Sequence, residues 1–135
     1  MTDKKVLVDT SAWIVGFRRI GPEGLKTFLR EALDSDRVVT TPPIILELLQ
    51  GCKTQKEFEA LKARLESLER SPLEGLPWER VYHLGFSLRR KGLTIPTLDL
   101  LIASLSLEQG YLLLHHDQHF RMIAKHCELD AVDFL

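Results

Sequence analysis

Apolar positions in this chain occur in two kinds of run, short unbroken ones and longer ones spaced three and four residues apart. The first kind fits buried strands and the second amphipathic helices. Residues 5 to 8 form a short strand of the first kind, and Gly21-Pro22 then introduces a helix whose Leu25, Phe28, Leu29 and Leu33 share one face. RVVTT at 37 to 41 predicts a second strand, after which Pro42-Pro43 opens a helix through IILELLQ that Gly51 stops. Thr54 and Glu57 have capping-box spacing ahead of a helix carrying Phe58, Leu61, Leu65 and Leu68. SPLEGLP is a turn-rich break with room for a short strand at 73 to 76. Beyond it the pattern predicts a helix from Trp78 to Lys91 ending at Gly92, and a helix over 97 to 109 with Gly110 after it. YLLLH as a strand, a short helix near 118 to 126 and a final LDAVDFL complete the chain. Strands separated by helices predict one α/β domain over residues 1–135. Its fold class is a three-layer α/β/α sandwich with a central, mainly parallel sheet, and ligands gather at the carboxyl ends of such strands.

Composition narrows the class. With 135 residues the chain can bury roughly 70% of its unfolded surface without staples, and its 44% apolar and 27% charged residues are ordinary globular usage. The start, MTDKKVLVD, breaks its apolar run at Asp9, so neither a signal peptide nor a membrane span is expected. Cys52 and Cys127 stand far apart, which fits packed thiols in a reducing cytoplasm better than a disulfide frame or a zinc knuckle. A net charge of −1 lacks the broad basic footprint of a duplex-coating protein, so a nucleic-acid partner has to be held locally.

Four carboxylates then stand out. Asp9 ends the first strand, Asp117 follows YLLLH, and Glu47 and Asp99 interrupt the apolar helical runs IILELL and TLDLLIA. Each has an ordinary explanation taken singly: Asp9 and Asp117 as helix N-caps, Glu47 as a group reaching solvent, Asp99 as a first-turn acid favoured by the helix dipole. Together they suggest more. If they converge, each pair at about 4 Å repels by about 4 kcal/mol at an effective dielectric near 20, so the cluster requires a cation. All-oxygen ligands select Mg²⁺ or Mn²⁺ over zinc.

VLVDTSAWI, Glu47 in PPIILELLQG, LDLLIASLSLEQGYLLL around Asp99, and HDQHF around Asp117 resemble the four signature blocks of PIN-domain ribonucleases, most of all the VapC-type toxins of toxin–antitoxin pairs. The resemblance spans nearly the whole chain in order and spacing. It implies a metal-dependent endoribonuclease, cytoplasmic and homodimeric, that leaves a 5′ phosphate and a 3′ hydroxyl and is held in check by a cognate antitoxin. Asp9, Glu47, Asp99 and Asp117 would form the acidic site, Asp9 and Asp99 ligating directly and the other two directly or through water. Thr10 and Ser11 match the small hydroxyl positions that support the first aspartate. Two positions depart from the pattern: His115 stands where many relatives have Ser or Thr, and His119 where many have an acid. A histidine beside the site would weaken Mg²⁺ binding and favour Mn²⁺, whereas one facing solvent would matter little. His115 and His119 are four apart, but a strand ending at His115 breaks the spacing of a zinc pair.

Arg18 and Arg19 are the foremost candidates for holding the RNA backbone, ahead of Arg89, Arg90, Lys91, Arg121 and Lys125. IILELL and the helix at 54 to 69 carry more apolar surface than one small core covers, and a groove between such helices suits an amphipathic peptide from an antitoxin, or a second copy. Phe58, Leu61 and Leu65 are its expected lining. Other classes fit less well. A haloacid-type phosphatase needs an Asp where Ser11 stands, and a phosphotransfer receiver needs an acidic pair where the chain offers Asp3 alone. An RNA-processing nuclease without an antitoxin shares the same site, while a non-catalytic binding module has no reason to keep four mutually repelling charges.

Overall fold

The structure, a computed structural model, describes residues 4–135, so Asp3 lies outside the described residues. Its central sheet is wholly parallel. The strands are β1 (Val6–Val8), β2 (Val38–Thr40), β3 (Glu69–Arg70), β4 (Leu112–Leu114) and β5 (Ala131–Val132), in the order β3-β2-β1-β4-β5. Val6 pairs with Val38 on one side and Leu112 on the other, which fixes the register of the three central strands. Strands buried on both faces need unbroken apolar runs, and VLV, VVT and the end of LLL are buried accordingly.

The chain leaves β1 toward β2 and β3, then returns to β1's other side as β4. The order therefore reverses between β1 and β4, and the carboxyl ends of those two strands form the sheet's natural ligand crevice. Helices cover the faces: α1 (Thr10–Phe17), α2 (Glu23–Asp34), α3 (Pro42–Gln50), α4 (Gln55–Glu66), α5 (Trp78–Arg90), α6 (Thr97–Gln109) and α7 (Gln118–Ala124). Leu7, Leu25, Ile44, Leu88, Ile102, Leu113 and Phe120 pack as one continuous core between the layers. Among the described residues no helix is long and apolar enough to cross a membrane.

Most expected elements appear where the pattern puts them, with three corrections. The third strand is Glu69–Arg70, not 73 to 76; Leu73 and Leu76 pack on the core from a turn in which Gly75 takes φ +83°. A two-residue charged edge strand has no apolar signature, and its backbone pairing with Val39 and Thr40 defines it instead. Residues 10 to 17, one residue beyond the first strand, are helical from Thr10 onward because Asp9 caps them. Leu33, expected on the buried face of its helix, is 38% exposed, and Ala32 is buried in its stead.

Candidate active site

Asp9 both ends β1 and caps α1. Its N–H extends the sheet to the Leu114 carbonyl at 2.9 Å, and its side chain caps α1 by accepting from the Ser11 N–H at 2.9 Å. The Ser11 hydroxyl donates to the same carboxylate oxygen at 2.6 Å and accepts from the His116 N–H at 2.9 Å, tying the end of β1 to the end of β4. Asp9 is only 4% exposed. Burial pushes its carboxyl above the ordinary range, and the Glu47 charge adds to this, while the Ser11 hydrogen bonds oppose it.

Glu47 comes from α3 and accepts from the Thr10 hydroxyl at 2.8 Å. Thr10 and Ser11 therefore each hold one carboxylate, as a DTS sequence at a strand-to-helix corner allows. Asp99 lies in the first turn of α6, and Asp117 caps α7 by accepting from the His119 N–H at 2.8 Å. The His119 ring, two residues on in α7, returns so that Nδ1 is 3.0 Å from Asp99 Oδ2 and 3.0 Å from Asp117 Oδ1.

Asp99, Asp117 and His119 thus offer ligand atoms that all lie within 4.8 Å of one another. Asp99 is pushed up to about 6, first by burial and then by the charges of Asp9 and Asp117, with His119 pulling the other way. Two carboxylates and an imidazole in reach of one another make a donor set that fits a divalent ion. Asp9 is felt electrostatically by Asp99, and Glu47 in turn by Asp9. Of the two histidines, His119 bridges Asp99 and Asp117 while remaining partly exposed. His115 is buried, turned the other way against Phe120 and Asp133, and its pKa is lowered by burial.

Arg18 caps the far end of α1, and both Arg18 and Arg19 are exposed. Sequence patterning could not show the joint role of Ser11, whose two partners lie at opposite ends of the chain. A small hydroxyl two residues after a strand-ending acid is the available sign.

Residues 6–126 match the PIN domain family. The chain is 30% identical over 136 residues to ribonuclease VapC11 of Mycobacterium tuberculosis, a match covering 96% of this chain and 98% of that protein. Among solved structures it is similar to VapBC2 from Rickettsia felis bound to a promoter DNA fragment, with a TM-score of 0.77, 18% identity, and 96% and 98% of the two chains covered. VapBC-1 from nontypeable Haemophilus influenzae aligns with a TM-score of 0.76 and 20% identity over 95% and 96% of the chains.

Proposed function

Since the chain belongs to the PIN-domain family, on its VapC ribonuclease branch, we propose that it is an endoribonuclease toxin whose cleavage depends on Mg²⁺ or Mn²⁺ held at the acidic cluster. One observation carries the reading: Asp99, Asp117 and His119 converge within 4.8 Å at the crevice where the sheet order reverses, beside buried Asp9. When bound, the divalent ion supplies an acidified water and offsets the charge that builds on the phosphate. Asp9 and Asp99 would hold it directly. Ser11 fixes the direction of the Asp9 carboxylate, and Thr10 does the same for Glu47, which with Asp117 would ligate directly or through water. Asp99 has to be ionised to ligate, and a cation in reach lowers its pKa from the value it has without one.

The partner reading rests on apolar surface. A groove of 610 Å³ runs between α1, α3 and α4, lined by Ile14, Leu48, Ala60, Leu61 and Arg64, and Glu47 stands on its wall. A second, of 430 Å³, continues past Trp13, Phe17, Leu33 and Leu65. Leu61 and Arg64 belong to both. An amphipathic antitoxin segment suits this surface, burying leucines along the floor and presenting an acid to Arg64. Seated there it also reaches Glu47 and so crowds the acidic site. Of the lining expected above, Leu61 lies in the groove, Leu65 is mostly buried beneath it, and Phe58 lines neither part.

The reading is tested by incubating the protein with a structured RNA in Mg²⁺, in Mn²⁺ and in chelator. Cleavage in either metal and none in chelator supports it, and undiminished cleavage in chelator overturns it.

A further inference from the structure

His115 lies outside the acidic cluster, yet it is only 1% exposed at the carboxyl end of β4, and its two ring nitrogens face different parts of the chain. Nδ1 accepts a hydrogen bond from the Asp117 N–H at 3.2 Å. An accepting Nδ1 carries no proton, so the ring proton is on Nε2, which lies 3.5 Å from Asp133 Oδ2. Asp133 follows β5 and is itself held in place. Arg121 of α7 grips both its oxygens, at 2.9 and 2.7 Å, and the Leu135 N–H donates to it at 3.0 Å. The imidazole packs against Phe120 with ring centres 5.1 Å apart, and the His115 N–H donates to the Val132 carbonyl at 3.1 Å.

We propose that His115 is a positioning residue for the acidic site. Its Nδ1 orients the Asp117 peptide, and through it the Asp117 carboxylate and the His119 ring that lies 3.0 Å from it. Asp133 and Arg121 hold the imidazole in the tautomer that leaves Nδ1 free to accept. A Ser or Thr hydroxyl, short and borne on a single carbon, could serve the amide but not reach Asp133 at the same time. An imidazole spans both, so in this chain the C-terminal segment is wired to the geometry of the site. Partners of this kind, one step behind the ligands, commonly change metal affinity by about 10- to 100-fold when removed.

The inference rests on the metal-site reading given above, and three variants test it with readouts that separate the two. His115→Asn keeps an acceptor near the position of Nδ1, His115→Gln carries its amide toward the position of Nε2, and His115→Leu keeps neither. Mn²⁺ affinity is followed by the EPR signal of free Mn²⁺, and exchange of the Asp117 amide is followed by NMR in the metal-free protein. Retained affinity and a protected amide are expected for the Asn variant. The Gln and Leu variants are expected to lose affinity by roughly tenfold, with faster amide exchange and a folded circular dichroism spectrum. Unchanged affinity and exchange in the Gln and Leu variants, or an equal loss in the Asn variant, overturns the proposal. If the Leu variant does not fold, the contrast between Asn and Gln decides. If the wild-type protein binds no Mn²⁺, the metal reading fails, and the amide exchange of the Asn variant against the Gln variant still decides the role of His115.

Discussion

His119 Nδ1 sits 3.0 Å from Asp99 and 3.0 Å from Asp117, so a single imidazole spans two carboxylates that would otherwise face each other unscreened. An imidazole nitrogen is a good ligand for Mn²⁺ and a poor one for Mg²⁺, which prefers oxygen donors. His119→Asp is therefore expected to tighten Mg²⁺ and narrow the gap between the two metals. His119→Ala should weaken Mn²⁺ by roughly tenfold. Calorimetric titration of the three proteins with each metal checks this, and identical curves would place His119 outside the coordination shell.

The metal-free protein should lose stability as pH rises. Asp99 has a folded pKa of about 6 against 3.8 for the unfolded chain. The folded state thus holds its proton more tightly, and the contribution is fully present below 3.8 and lost as pH rises through 6. Buried His115 has a lowered pKa and acts in the opposite sense, its contribution being lost as pH falls below the ordinary histidine range. The comparison that isolates Asp99 is wild type against Asp99→Asn in chelator. Their melting temperatures should diverge between pH 4 and 7, with the variant the more stable at pH 7 by at most about 3 kcal/mol, less whatever solvent screens at the exposed edge of Asp99. Parallel curves across that range would contradict the assignment.

Asp9→Asn and Asp99→Asn should each abolish RNA cleavage while the fold survives. The amide introduced by Asp9→Asn retains an oxygen that can accept from Ser11, so the cap on α1 persists while the charge is gone. Full cleavage by either variant, assayed on the same RNA with Mn²⁺ present, would remove that residue from the proposed ligand set.

Phe17→Glu and Leu61→Glu place a charge in the groove without disturbing the core, since Phe17 is 64% exposed and Leu61 half-buried. Each should weaken capture by the antitoxin by roughly 30-fold, the equivalent of about 2 kcal/mol of lost apolar burial, with RNA cleavage unaltered. Inhibition titrations with the cognate partner read this directly, and unchanged inhibition would put the partner elsewhere on the surface.

What the amino-acid pattern conveys here follows the strength of its physical signal. Buried parallel strands demand apolar runs, and β1, β2 and β4 are legible for that reason. Gly110 is legible as a helix end because the chain turns there at φ +70°, which other residues resist. β3 is not, because Glu69 and Arg70 form a strand only through pairing with a neighbour 30 residues earlier in the chain. At the site, four acids in apolar surroundings are conspicuous in the sequence. The nearness of Asp99 to Asp117 and the inward turn of His119 depend on how α6 and α7 pack, which no local pattern encodes. Leu33 has the right period and the wrong outcome, since helical spacing sets a face but not the width of the neighbour that covers it.

The hydrogen bond from the His116 N–H to the Ser11 hydroxyl joins residues 105 apart in sequence, and it bears on the order in which a newly made chain acquires its abilities. The acidic site cannot close until β4 has docked beside β1 and His119 has been added. By contrast, every residue lining the 610 Å³ groove has been synthesised by Arg64. On the ribosome, the lining of the proposed docking groove is therefore complete well before His119 closes the proposed acidic site. An inhibitor that docks in that groove would have its docking residues made before there is anything to inhibit.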